Sequence, residues 1–169
     1  MKRIGMINQR YGLEVNGGSE YYTRLIAERF NGKYEIEILT TTAIDNITWE
    51  NYYEAGVTNI NGVTVRRFPI EHAKDMDAFN EINRQIFENP AKATCEQEWK
   101  WIEEQGPLST ELVRYVAEHH EEYDAFIVVT YLYYTQIKSL SHVGHKAIFI
   151  PTAHEEPFIH FGIFQQLFT

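Results

Sequence analysis

The opening segment constrains the fold most. Arg3 to Gln9 carries Ile4, Met6 and Ile7 in a short apolar run, the pattern of a buried strand. A loop from Arg10 to Gly18 follows and ends in Asn16-Gly17-Gly18. Beyond it, Tyr22, Leu25, Ile26 and Phe30 recur at helical spacing, and Asn31-Gly32 closes the segment as a C-terminal glycine does. Tyr34 to Thr40, with Ile36, Ile38 and Leu39, reads as a second strand. Strand, loop, helix and strand within about forty residues form a βαβ unit, whose two strands run parallel.

The rest of the chain extends this alternation. Asp45 to Ala55 is irregular and aromatic. Asn61-Gly62 is a turn signal before a strand over Val63 to Phe68, with Val63, Val65 and Arg67 on one side. Asp75 to Glu88 reads as a helix ended by Asn89-Pro90, and Cys95 to Gln105 as a shorter one ended by Gly106-Pro107. Ser109 is placed to cap the next helix, which carries Glu111 in its first turn and then Leu112, Val113 and Val116. Ala125 to Val129 and Lys146 to Pro151 are apolar without alternation, the mark of strands covered on both faces. Pro157 to Phe168 reads as a last apolar helix. These elements predict an α/β fold: a Rossmann-like open, mostly parallel sheet with helices on both faces. Ligands of such sheets bind beyond the carboxyl ends of the strands. That directs attention to three loops: Arg10 to Gly18, Thr130 to Thr135, and Thr152 to Pro157.

Composition narrows the partners. The 169 residues suffice for one domain with a real core. A formal net charge of −9 opposes general affinity for nucleic acid or anionic lipid, so no nucleic-acid partner is expected. Cys95 stands alone, so neither an intrachain disulfide nor a cysteine-based zinc site can form. No stretch resembles a signal peptide or a membrane span, and a cytoplasmic location is expected.

Each candidate for chemistry has two readings. Gly17 and Gly18 let backbone approach a bulky ligand, and the helix start behind them favours an anion such as a diphosphate. A tight turn with positive φ accounts for the same glycines without a ligand. Neither G-x-G-x-x-G nor a Walker loop occurs. His154, just past a strand end, can bind a sugar hydroxyl or an oxyanion or move a proton; it can equally be a hydrogen-bonded structural residue. Tyr131, Tyr133, Tyr134 and Tyr11 can stack on a ring or pack on the sheet. Glu155 and Glu156, adjacent on an extended segment, point apart and chelate a metal poorly. Glu20 and Glu28 are read as solvent-facing charge, and His119-His120 as an exposed helix end. His72, His142, His145 and His160 have no assignable partners, and no metal site is expected.

Taken in order, the residues resemble a known family. "RIGMINQRYG…NGGSEYYTRLIAERF…YEIEILTT" is similar to the N-terminal signature of group 1, family GT4, glycosyltransferases, with Gly17, Gly18 and Glu20 in the family's pattern. "INGVTVRRF" resembles its third-strand hairpin, "YDAFIVV" a later strand, and "KAIFIPTAHEEP" the strand that ends in a histidine. The resemblance covers nearly the whole chain and implies the N-terminal, acceptor-side half of a GT-B fold. It implies sugar transfer from a UDP- or GDP-sugar to a sugar, lipid-linked or protein acceptor, with retention of configuration and no cofactor or bound metal. By resemblance, Gly17 and Gly18 approach the donor diphosphate and His154 the transferred sugar as the catalytic residue. Tyr11, Glu20, Tyr131 and Glu155 are further candidates for donor or acceptor contact.

The family's second domain, with its Arg/Lys pair for the diphosphate and its Glu-x7-Glu helix, is not represented in this sequence. The chain is therefore expected to be a truncated piece, inactive by itself, partnered by its own C-terminal nucleotide-sugar domain and prone to self-association through an uncovered face. A free-standing α/β binding or regulatory module without catalysis is the alternative. A dinucleotide enzyme is disfavoured by the missing glycine fingerprint.

Overall fold

A computed structural model describes residues 1–167. Six strands form one sheet: β1 (Arg3–Ile7), β2 (Glu35–Thr41), β3 (Gly56–Ile60), β4 (Val63–Phe68), β5 (Ala125–Val129) and β6 (Ala147–Ile150). Their order is β3-β4-β2-β1-β5-β6. Every neighbouring pair is parallel except the β3–β4 hairpin at one edge. The helices are α1 (Gly18–Phe30), α2 (Met76–Glu88), α3 (Cys95–Gln105), α4 (Thr110–His119), α5 (Tyr134–Val143) and the short α6 (Gly162–Gln165). No helix among the described residues is long and apolar enough to cross a membrane.

Alternating side chains divide the core between the two faces of the sheet. Met6, Ile36, Ile38, Ile127 and Val129 pack with Ala27 of α1 on one face. Ile7, Leu39, Phe126 and Val128 pack with Leu112 and Val116 of α4 and Val143 of α5 on the other. Helices thus cover both faces, and the fold is Rossmann-like as the sequence predicts. A further cluster joins α2, α3 and α6 to the outer side of α5: Ile82, Ile86, Trp101 and Ile102 pack with Ile137, Phe161 and Phe164. The Trp101 ring stacks on Phe158 at 5.1 Å and meets Phe161 edge-on at 5.2 Å. The α1 side of β6 is more open, and Ile148 there is 60 % exposed.

Local chemistry fixes several ends. Asp75 caps α2 by accepting from the amides of Asp77 and Ala78, and Thr94 with Gln97 forms a capping box on α3. Ser109 occupies the N-cap position of α4 but does not cap with its side chain. Its hydroxyl donates to the Pro69 carbonyl at 2.8 Å, while the Thr110 amide is accepted by Glu71. The segment expected to be one helix from Pro157 to Phe168 is instead a 3-10 turn over Pro157–His160 and then α6. Extended backbone at Phe161 separates them, which lets Phe161 and Phe164 both turn into the Trp101 cluster. Phe168 lies outside the described residues.

A charged cluster ties β1, β2 and β4 together on the α4 side. The Glu37 carboxylate, 3 % exposed, accepts from Arg3 at 2.6 Å and from Arg66 at 2.8 Å. It also accepts from the Tyr123 hydroxyl at 2.8 Å. Burial pushes the Glu37 carboxyl up, but the bonds from Arg3 and Tyr123 and the charge of Arg66 outweigh it, so its pKa lies below the ordinary value. A carboxyl with a depressed folded-state pKa stabilises the fold fully above its unfolded pKa of about 4.3. That contribution is lost as pH falls through the folded value. Urea midpoints measured from pH 7 to pH 3 are expected to fall below about pH 4.3, and Glu37→Gln to flatten that fall. An unchanged acid limb in the variant would contradict the assignment.

Candidate functional site

The chain runs outward from β1 through β2 to β4, then returns to the far side of β1 for β5 and β6. The order therefore reverses between β1 and β5. In open parallel sheets such a switch point splays the two following loops apart and opens a crevice at the strands' carboxyl ends. The Arg10-to-Gly18 loop leaves β1 here and the Thr130-to-Tyr133 segment leaves β5.

The residues just past β1 at this switch point are polar and buried. Asn8, Gln9 and Arg10 follow β1 directly and are at most 5 % exposed. Asn8 Nδ2 donates to Thr23 Oγ1 at 2.6 Å and to the Ser19 carbonyl at 3.1 Å, tying β1 to α1. Gln9 Nε2 donates to Glu20 Oε1 at 2.9 Å. Gln136 Nε2 of α5 donates to Gln9 Oε1 at 2.9 Å, which bridges the switch point itself. Thr41 Oγ1 donates to the Gln9 carbonyl at 2.6 Å from the end of β2. Arg10 and Glu20 form an ion pair with side chains 6 % and 5 % exposed. Arg10 also donates to the carbonyls of Asn16 at 3.0 Å and Ile44 at 2.9 Å, and Ser19 Oγ donates to Glu20 Oε2 at 2.8 Å.

Glu20 is thus neither solvent-facing nor open to a ligand. Its charge is neutralised by Arg10 and its oxygens are occupied by Gln9 and Ser19. Burying an ion pair is costly unless other groups meet its donors and acceptors, and here Gln9, Ser19 and two carbonyls meet all but Arg10 Nε, which is buried without a partner among the described residues.

The two glycines of the loop separate in role. Gly17 has φ +155°, and a Cβ there would sit 2.1 Å from Glu20 Oε2. The fold itself requires that glycine. Gly18 has an ordinary helical start, and a Cβ built there meets nothing within 4 Å. Packing does not explain Gly18. No side chain caps α1, unlike α2 and α3. Its first-turn amides, behind a bare backbone at Gly18, make a surface that suits an anion at close approach.

The remaining candidates disperse. Tyr11 is 1 % exposed and packs in the α1-side core with Met6 and Ile38. Burial pushes its phenol up to about 12, with the Glu28 charge adding to it. Tyr131 is also 1 % exposed, packs edge-on to Phe164 at 4.8 Å, and donates to Glu156 Oε1 at 2.5 Å. Both tyrosines are core side chains, not ring-stacking platforms. Their side chains turn into core clusters, where burying a large aromatic ring is favourable. His154 is exposed beyond β6, after a left-handed backbone at Thr152 with φ +49°. Glu155 is exposed and paired with His160 Nε2 at 3.1 Å.

Tyr133 is the aromatic residue that reports on the crevice. It precedes α5 and meets Trp49 edge-on at 5.5 Å. Burial raises its phenol first, the Glu20 charge adds to the rise, Arg10 opposes it, and Glu156 adds again, for a value of about 12. Groups from the β1, β5 and β6 loops therefore lie within electrostatic reach of one hydroxyl. Sequence reading missed Gln9, Arg10 and Gln136. The one signal for the first two is three polar residues placed directly after the apolar Met6-Ile7 end of a strand.

No protein-family model, curated protein or solved structure matches the chain.

Proposed function

We propose that this chain is the acceptor-side half of a GT-B-type retaining glycosyltransferase resembling family GT4. The observation that carries the reading is Gly18: a glycine without a packing reason, at the uncapped start of α1, beside the β1/β5 switch point. In this reading the diphosphate of a UDP- or GDP-sugar lies against the amides at Gly18 and Ser19. Those donors stabilise the leaving nucleoside diphosphate as charge builds on it. Arg10 cannot supply the countercharge, because Glu20 and two carbonyls hold it. Cations from a second, nucleotide-sugar domain complete the site. His154, exposed at the same end of the sheet, contacts the transferred sugar and orients it for attack by the acceptor.

A binding module without turnover is the second reading. It is favoured by the switch point, where Asn8, Gln9, Arg10, Glu20 and Gln136 bond to one another, to Thr23 or to neighbouring backbone and so hold structure rather than reactive groups. The test follows nucleoside diphosphate release from a panel of UDP- and GDP-sugars. It uses this chain and the chain joined to any sequence its gene encodes beyond Thr169. Release is expected from the longer protein only, and His154→Ala is expected to slow it by about 100-fold or more. Release unaffected by the variant would remove His154 from the chemistry. Donor binding without release, with candidate acceptors present, would favour the binding module.

A further inference from the structure

We propose that His120, Glu121 and His145 form a binding site for a zinc-class divalent cation at the amino-terminal end of the sheet, remote from the crevice and independent of the reading given for it. β5 and β6 are parallel neighbours, and each is entered through a 3-10 turn, His120–Glu122 and Gly144–Lys146. The two turns are therefore side by side, and they bring together histidines separated widely in sequence. One ligand atom from each of His120, Glu121 and His145 can be chosen so that all three lie within 4.8 Å of one another. The imidazole centroids are 6.1 Å apart with ring planes at 86°.

A second observation concerns His120 Nδ1. It lies 2.9 Å from Glu121 Oε1, yet it makes no hydrogen bond and is shut off from solvent. The two atoms form a close ion pair, and a small parting of the side chains brings them to the spacing of two ligands of one ion. Tetrahedral zinc with bonds of about 2.0–2.1 Å holds its ligand atoms roughly 3.3 Å apart. Glu121 and His145 are exposed, so rotation of their side chains closes the remaining gap. Lys146 Nζ is 3.7 Å from Glu121 Oε1 and also donates to the Tyr123 carbonyl at 3.2 Å. A bound cation replaces it as the countercharge of Glu121.

The neighbouring charges do not join the site. His119 stacks on Tyr115 at 4.3 Å and pairs through Nδ1 with Glu122 at 2.6 Å, and Glu122 is also held by Arg3 at 3.0 Å. Two imidazoles and one carboxylate select zinc and similar borderline metals over magnesium or calcium, which take oxygen ligands. Solvent fills the fourth position. The expected consequence is a clamp between the turns that start β5 and β6.

The test is a calorimetric titration of the chelator-stripped chain with zinc chloride, with magnesium chloride as the control. Saturable uptake of one zinc per chain is expected, with no response to magnesium. His120→Ala and His145→Ala are each expected to weaken binding by at least about tenfold, since even the loss of an outer-sphere partner costs that much. His119→Ala is expected to bind like the wild type. Zinc should raise the thermal midpoint of the wild type and leave that of the His120→Ala/His145→Ala double variant unmoved. The metal-free midpoints show that the variants are folded. No saturable uptake, equal uptake by the double variant, or loss of binding in His119→Ala would each overturn the proposal.

Discussion

Arg10→Ala is expected to lower the unfolding free energy by about 3–5 kcal/mol, the range for stranding one partner of a buried ion pair. The Glu20 carboxylate would remain, 5 % exposed, without its counterion. The Asn16 and Ile44 carbonyls would each lose a donor at the same time. Arg10→Lys is expected to recover little. A single ammonium cannot span the three acceptors that the guanidinium fork reaches together. Arg10→Ala combined with Glu20→Gln is expected to be more stable than Arg10→Ala by itself, because the uncompensated charge is gone. Domains of this size are stable by about 5–15 kcal/mol in total, so the single variant should populate unfolded chain measurably under mild urea. Urea denaturation followed by circular dichroism reads all three variants. A loss below about 1 kcal/mol for Arg10→Ala would place the pair among surface salt bridges and contradict its burial.

The second large effect separates adjacent glycines. Gly17→Ala is expected to destabilise by about 4 kcal/mol. Roughly 1–3 kcal/mol comes from forcing a side chain into a glycine-only backbone region and about as much from overpacking. The overpacking arises because the new methyl would meet Glu20 Oε2 at 2.1 Å. Gly18→Ala is expected to fold as well as the wild type or better by about 0.4–1 kcal/mol, because its site is open and its backbone is helical. Donor affinity should nonetheless drop in Gly18→Ala. The opposite stability ranking would mean that the strain in the loop has been assigned to the wrong glycine.

The opening βαβ unit was legible in the sequence because its strands and helix each obey one period, and β5 and β6 because they are apolar without alternation. α5 was not. Tyr134, Thr135, Gln136, Ile137, Ser139 and Val143 are all buried, so this helix has no apolar stripe set against a polar face, and periodicity had nothing to register. β3 escaped for the opposite reason. Its residues are mostly exposed, and pairing with β4 at the sheet edge defines it rather than any pattern of its own. The turn at Asn61-Gly62 was visible from composition, and the hairpin forms there.

In the loops that the sequence singled out, it misjudged the burial of several side chains. Glu20 reads as one helix-surface carboxylate among many until Arg10 and Gln9 are seen closing on it. Tyr11 and Tyr131 sit on loops by sequence and in the core by structure, since a loop leaving a buried strand can carry its first aromatic inward. Burial of polar residues depends on partners far away in the chain. The Gln9–Gln136 bond spans 127 positions, and no local pattern encodes it.

The most direct measurement of the proposed site is a backbone amide NMR titration of the described chain with a UDP-sugar, a GDP-sugar and inorganic pyrophosphate. Shifts concentrated at Gly17, Gly18, Ser19 and the Thr130-to-Tyr133 segment, reduced in Gly18→Ala, are the expected result. They would place a diphosphate at the β1/β5 switch point. Shifts confined to other surfaces, or none at millimolar ligand, would contradict a diphosphate site at the start of α1.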